Sequence, residues 1–275
     1  MTHSPTYHPS FRPGLHLIFA SENPPFPTED LLKARISGDG LANQEPIALR
    51  LSQADAQQFL GEVEFDQHHL QIAGMPYPLP QEVIDRTVMV SPWPAQTKAA
   101  MRHHRSQLRL DYLRGNPNPI EQMIALYRLA SAVMSEDLLG IVNPNAWTAH
   151  PPADYLSPDQ IAQYRQEIPF NLWFGYVRFY TDDQSYWLAT KGHHIFDVPD
   201  LATFVQPTDD PNALINLFIN VFYYLYEQDV FVTAGDTLEI RNSGEQLRFS
   251  EVTELSDLLM GPSGTLVIEK NYPPN

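Results

Sequence analysis

The sequence predicts an α+β fold in which twisted, mostly antiparallel sheets are packed by helices. Three observations carry that expectation. Short runs of alternating apolar residues recur along the chain, as strands with one covered face require. Two longer segments place apolar residues at helical spacing and open on Asn118-Pro119 and Asp210-Pro211, the order of an N-cap followed by a first-turn proline. Hydrophobic residues make up 43% of the 275 positions, enough to bury a substantial core in one large domain or two of ordinary size.

The elements follow in order. Residues 1–13 are rich in Pro, His, Ser and Thr and read as a flexible leader, without the charged-then-apolar order of a signal peptide. Gly14 to Ala20 reads as an opening strand. Thr28, Glu29 and Asp30 form a helix start ahead of Leu31, Leu32 and Ala34, because a hydroxyl cap and early acids suit a helix N-terminus. Ile47, Leu49 and Leu51 alternate as a strand. Val63, Phe65, Leu70 and Ile72 flank Gln67-His68-His69 as a hairpin, and after Pro92-Trp93-Pro94 a helix is expected over Gln96 to Arg105. Leu108, Leu110 and Tyr112 resume period two, which predicts a strand ending near Arg114.

The two capped segments share a plan. Each runs 18 residues, from Pro119 to Asp137 and from Pro211 to Asp229, and an apolar strand-like run follows each: Leu138, Leu139, Ile141 and Val142 in the first, Val230, Phe231 and Val232 in the second. Equal spacing predicts two related halves, an N-terminal half over 14–146 and a C-terminal half over 147–275, packed as one globular unit. Asn118 with Glu121 three residues on has the form of a capping box. The second helix should bury Leu214, Leu217, Phe218, Val221, Phe222 and Leu225 and leave Asn212, Asn216, Asn220 and Glu227 solvated. Between strand and helix the second half carries an insertion, Gly192 to Asp210, at the kind of strand end where sites are often placed.

Composition narrows the function classes. The formal net charge of −16 creates a field that repels phosphate backbones and anionic lipid, so neither nucleic acid nor membrane is an expected partner. Every apolar run is broken by Pro, Gly or charge before it reaches the roughly 18–20 residues needed to span a bilayer. Cysteine is absent, which removes thiolate catalysis, disulfides and Cys-ligated metals and suits a reducing cytoplasm. The chain has no Gly-x-Ser-x-Gly elbow, no Gly-x-x-x-x-Gly-Lys-Ser/Thr loop and no Gly-x-Gly-x-x-Gly turn.

Chemically capable residues concentrate between Leu172 and Ile240. Lys191, His193, His194, Asp197 and Asp200 could converge, with Lys191 as an anion anchor and a His–Asp pair moving protons. A structural reading stands beside it: Gly192 permits a turn, Pro199 ends an extended run, and Asp200 caps a short helical turn through Leu201 and Phe204. Three pairs, His68-His69, His103-His104 and His193-His194, raise a metal site. Neighbouring side chains diverge on either a helix or a strand, so each pair can give one ligand to a shared site, and no metal or cofactor is expected. An aromatic hairpin with Trp173, Tyr176, Tyr180 and Trp187 is the candidate binding surface.

The aromatic strand Leu172 to Tyr180, the Thr190-Lys191-Gly192 turn, the Phe196…Pro199-Asp200-Leu201 element, the long helix and Gly235-Asp236-Thr237-Leu238 together resemble the bacterial domain-of-unknown-function family 4261. The resemblance covers Trp147 to Ile240, and Asp197 stands where that family tends to have Gly. It implies an α/β domain of unassigned activity and carries over no catalytic residue. The leading expectation is a non-enzymatic, cytoplasmic protein that binds a protein partner in an adaptor, assembly or immunity-like role. The alternative is a small-molecule or metal-dependent enzyme built around Lys191, His193, His194 and Asp197.

Overall fold

A computed structural model describes residues 12–37, 47–54, 58–152, 155–239 and 246–271. Residues 1–11 of the expected leader and Ile240 lie outside the described residues. The chain divides into two compact units, one within Pro9–Trp173 and one within Phe174–Asn275. The α+β expectation holds, with two mostly antiparallel sheets and flanking helices.

The N-terminal unit contains β1 (Gly14–Phe19), α1 (Glu29–Ser37), β2 (Ala48–Ala54), β3 (Phe59–Phe65), β4 (His68–Met75), α2 (Gln81–Thr87) and α3 (Ala95–Arg102). It continues with β5 (Ser106–Gly115), α4 (Pro119–Ala132), β6 (Leu138–Asn143), β7 (Thr148–His150), α5 (Pro158–Gln163) and α6 (Phe170–Trp173). Its sheet runs β2-β3-β4-β5-β1-β6-β7, with antiparallel neighbours throughout. Both β5 and β6 are antiparallel to β1 and therefore parallel to each other, and α4 is the crossover that such a pair requires.

The first strand is central and buried on both faces, which explains its near-continuous apolar run Leu15-His16-Leu17-Ile18-Phe19. Ile18 packs with Val142 beneath Leu79, Ile84, Val88 and Met101 from the α2–α3 side. Helix α4 contacts β1, β4 and β5, with α1 and α5 also against it. It is buried on nearly every side, so the expected amphipathic helix is an interior one. Its N-cap is as expected, since Ile120 N–H donates to Asn118 Oδ1 at 2.8 Å. Glu121 instead accepts two hydrogen bonds from Arg165.

The C-terminal unit holds β8 (Gly175–Tyr180), β9 (Tyr186–Lys191), a 3₁₀ turn (His193–Phe196), β10 (Asp200–Val205) and α7 (Pro211–Glu227). It closes with β11 (Thr237–Glu239), β12 (Gln246–Glu251), α8 (Ser256–Leu259) and β13 (Thr265–Asn271). Sheet order is β11-β12-β13-β10-β9-β8, antiparallel except for the parallel pair β10 and β13. Helix α7 buries Leu214, Phe218, Val221, Phe222 and Leu225, leaves Leu217 half-buried and exposes Asn212, Asn216, Asn220 and Glu227.

Three expectations are corrected. The division falls between Trp173 and Phe174, because β7 pairs with β6 and the Trp173 ring lies 6.1 Å from Tyr127 and 5.7 Å from Tyr164. Val230-Phe231-Val232 is not a strand; it is irregular, with Phe231 84% exposed. The strand after α7 is β11, which lies beyond β12 and β13 from β10, whereas β6 lies one strand from β5. The two halves thus share a meander followed by a capped helix, and their topologies part after it. Asp200 begins β10 and does not cap a helical turn.

Candidate functional site

Four of the five residues singled out around Lys191 are buried together, and the local backbone explains how. Gly192, at φ 107°, turns the chain out of β9 into the 3₁₀ turn, a conformation that costs a residue with a Cβ. Asp197, at φ 56°, leaves that turn in the same left-handed region, which an Asp tolerates better than most side chains. The β9–β10 pairing then sets the Thr190 hydroxyl to accept from Leu201 N–H at 2.8 Å, 3.4 Å from Asp200 Oδ1. Asp200 Oδ1 also accepts from His193 N–H at 3.2 Å. Its second oxygen, Oδ2, is buried with no hydrogen-bond partner among the described residues and faces Gly261, where an added Cβ would stand 2.1 Å away.

Lys191 extends across to the loop after α8. Its ammonium donates to Leu259 O at 2.7 Å, and the same carbonyl accepts from Thr265 Oγ1 at 2.8 Å. Gly261 N–H donates to Thr265 Oγ1 at 2.9 Å and completes the corner. His193 sits edge-on to Phe174 and tilted against Phe222, both at 4.9 Å between ring centres. Since Pro199 O can only accept, the 3.2 Å contact from Nδ1 assigns the ring proton to that nitrogen.

Electrostatics follow burial. Removal from water holds His193 down to about 3 and His194, beside the Lys191 charge, down to about 4. It lowers Lys191 as well, against the attraction of Asp200. Burial pushes Asp200 up to about 7 despite Lys191 and the hydrogen bonds it accepts. Lys191, His193, His194 and Asp200 are each at most 3% exposed. A proton-moving pair must reach a substrate; His193 and Asp200 are instead engaged in closing the β9–β10 corner, and Lys191 in fixing the Leu259–Thr265 loop. Asp197, the fifth member, is exposed.

The four aromatic candidates are divided by the fold. Trp173 is fully buried in α6 and belongs to the N-terminal unit, so it cannot present a surface. Tyr176 is half-buried beside Tyr223 of α7, and burial raises the pKa of its hydroxyl well above the ordinary tyrosine value. Trp187 lies in a cross-strand row with Phe179 and Phe204, its ring 5.5 Å from Phe204. Tyr180 is 63% exposed and lies tilted against Tyr186 at 5.3 Å between ring centres, and the Arg178 guanidinium lies over Tyr186 at 5.3 Å.

That row shares a sheet face with Ala189, Ala202 and Val267, which cluster with Leu259 of α8 and the half-buried Phe179 and Val252. The short helix covers the Lys191 end of this face. At the other end Phe204 remains 39% exposed, and Leu258, on α8 itself, is 43% exposed. The unit carries exposed carboxylates at Asp182 and Asp183 in the β8–β9 turn, Asp257 on α8 and Glu269 on β13. Over residues 174–275 Asp and Glu outnumber Lys and Arg by fifteen to five.

The histidine pairs serve the fold. His104 Nδ1 donates to Met101 O at 2.8 Å while Nε2 accepts from Leu79 N–H at 2.8 Å. His68 Nδ1 meets the Tyr112 hydroxyl at 3.0 Å, and His69 pairs with Glu64 at 3.2 Å. Among the described residues no three His, Asp or Glu side chains gather around a position that could hold a metal ion. No helix there is long and apolar enough to cross a membrane.

Sequence reasoning did not find a second feature, a cavity of about 100 Å³ in the N-terminal unit between the β3–β4 turn, α4 and α5. Arg128, buried in α4, donates to Asp66 Oδ2 at 2.6 Å, and its guanidinium lies 5.0 Å over the Phe65 ring. Across the cavity Arg165 grips Glu121 with Nε at 2.6 Å and Nη2 at 2.7 Å. The signal was present: Arg128 interrupts the apolar run Ile124-Ala125-Leu126-Tyr127 and Leu129-Ala130, and an arginine buried among such residues needs a partner. No protein-family model matches the chain, and neither a curated protein nor a solved structure is detectably similar to it.

Proposed function

We propose that this protein is a non-enzymatic binding module whose C-terminal unit docks a partner protein on the open end of its sheet. The observation that carries the reading is the Phe179–Trp187–Phe204 row, in which Phe204 is 39% exposed and Phe179 half-buried beside the buried Trp187, in a unit where acids outnumber bases fifteen to five. Aromatic side chains fixed on strands make rigid anchors, and an apolar centre with a charged rim is the anatomy of a protein interface. The excess of acid commits the partner to a basic surface with an apolar side chain at its middle, drawn in by charge and held by the aromatic row. The proposal includes a cytosolic location, supported by the absence of cysteine.

Supporting the non-enzymatic side, Lys191, His193 and Asp200 spend hydrogen bonds within the fold. The test is capture of a partner from lysate of the source organism by wild type and by a variant carrying Phe204→Ser with Leu258→Ser. Both positions are partly exposed, so the variant should keep its melting temperature while losing the captured protein. Undiminished capture by the folded variant contradicts the proposed face.

A further inference from the structure

We infer that the cavity of the N-terminal unit is a binding site for a small zwitterion of the free α-amino acid class. The ligand is recognised jointly by Arg128 and Arg165 through its carboxylate and by Asp66 and Glu121 through its ammonium group. The site lies in the N-terminal unit and does not depend on the docking face proposed for the C-terminal unit.

The geometry begins with one helix face. Glu121, Ile124 and Arg128 project from successive turns of α4 into the cavity, opposite Asp66 and His68 from the β3–β4 hairpin and Arg165 just beyond α5. The His68 ring lines the same cavity as both ion pairs. His68 is anchored through Nδ1 at 3.0 Å to Tyr112, whose hydroxyl in turn accepts from Asn116 N–H at 2.8 Å. Nε2 is the ring's remaining hydrogen-bonding atom. Burial and the neighbouring Arg128 charge keep the imidazole neutral, so it offers a hydrogen bond without adding charge.

Charge balance selects the ligand class. Two guanidinium and two carboxylate groups make an electroneutral lining, so a simple anion would meet Asp66 and Glu121 as well as the arginines, and a simple cation would meet the reverse. A molecule carrying both charges a few ångströms apart can join each ion pair to form a four-charge network, in which every buried charge keeps an opposite neighbour. The volume of about 100 Å³ suits a small amino acid. Arg165, with its side chain 59% exposed, forms the rim past which a longer substituent would project.

The experiment titrates the full-length, ¹⁵N-labelled protein with L-alanine and, separately, with acetate and with ethylammonium, each of which supplies half of the charge pattern. L-alanine should give saturable shifts centred on Gln67, His68 and Asn116 with half-saturation near or below about 1 mM, and the two half-ligands should bind at least about tenfold more weakly. Arg165→Gln and Glu121→Gln should each weaken L-alanine at least about tenfold, the scale of a lost charge-assisted hydrogen bond. Both lie toward the rim, and Arg165→Gln removes no buried charge, so it reports on binding even if Glu121→Gln lowers the melting temperature. Absence of any saturable shift up to about 10 mM L-alanine, or acetate binding as tightly as L-alanine, overturns the inference.

Discussion

Asp200 offers the sharpest test of how the Lys191 corner is built. In the fold its carboxyl is pushed up to about 7 by burial, against an ordinary value of 3.8. The folded state therefore holds a proton between about pH 4 and 7 that the unfolded chain has released, and stability falls as pH rises through that window. Asp200→Asn copies the protonated acid, keeps an oxygen to accept from His193 N–H, and carries no charge to desolvate. The difference between the two values sets an upper bound on the order of 4 kcal/mol above pH 7, with Lys191 already credited for its attraction. We expect urea unfolding to show variant and wild type equal near pH 4, and the variant more stable by about 2–4 kcal/mol at pH 8. A variant less stable than wild type at pH 8 would refute the reasoning, because it would mean that the Lys191–Asp200 attraction outweighs desolvation.

Two further outcomes follow from the same burial. His150, His193 and His194 are held neutral at about 4, 3 and 4, below the usual 6.5, so the unfolded chain takes up protons that the fold refuses as pH falls. Their contribution is complete above 6.5 and declines below it; less the opposing proton of Asp200, these groups should add roughly 2 kcal/mol per pH unit to the slope of unfolding free energy near pH 5, measurable by urea melts. His193→Ala opens a cavity against Phe174 and Phe222 and should cost about 2–4 kcal/mol in the same melts, which would make it unsuitable as a test of catalysis.

Much of the architecture was legible because it is local. The period of β1, the β3–β4 hairpin and β5, and the caps at Asn118 and Asp210, are written in neighbouring residues and were read directly. What failed depends on distant partners. Val230-Phe231-Val232 has the composition of a strand, yet the place beside β10 is taken by β13, which arrives from the chain's end. Trp173 sits in an aromatic run where helix and strand patterns cannot be distinguished, and its ring is claimed by Tyr127 and Tyr164. Asp200 looked like a cap because its burial depends on Gly261 and Lys191, neither of which neighbours it in sequence. The cavity was invisible for the same reason, since Asp66, Arg128 and Arg165 come together only once the hairpin, α4 and α5 are assembled.

The measurement that bears most directly on the proposed docking face is quantitative capture by wild type and the Phe204→Ser, Leu258→Ser variant in parallel, at low and at high salt. The account predicts a basic protein retained near stoichiometrically by wild type at low salt, weakened at high salt as charge steering is screened, and lost by the variant at unchanged melting temperature. Equal retention by both proteins, or no retained protein under cross-linking at low salt, would contradict it.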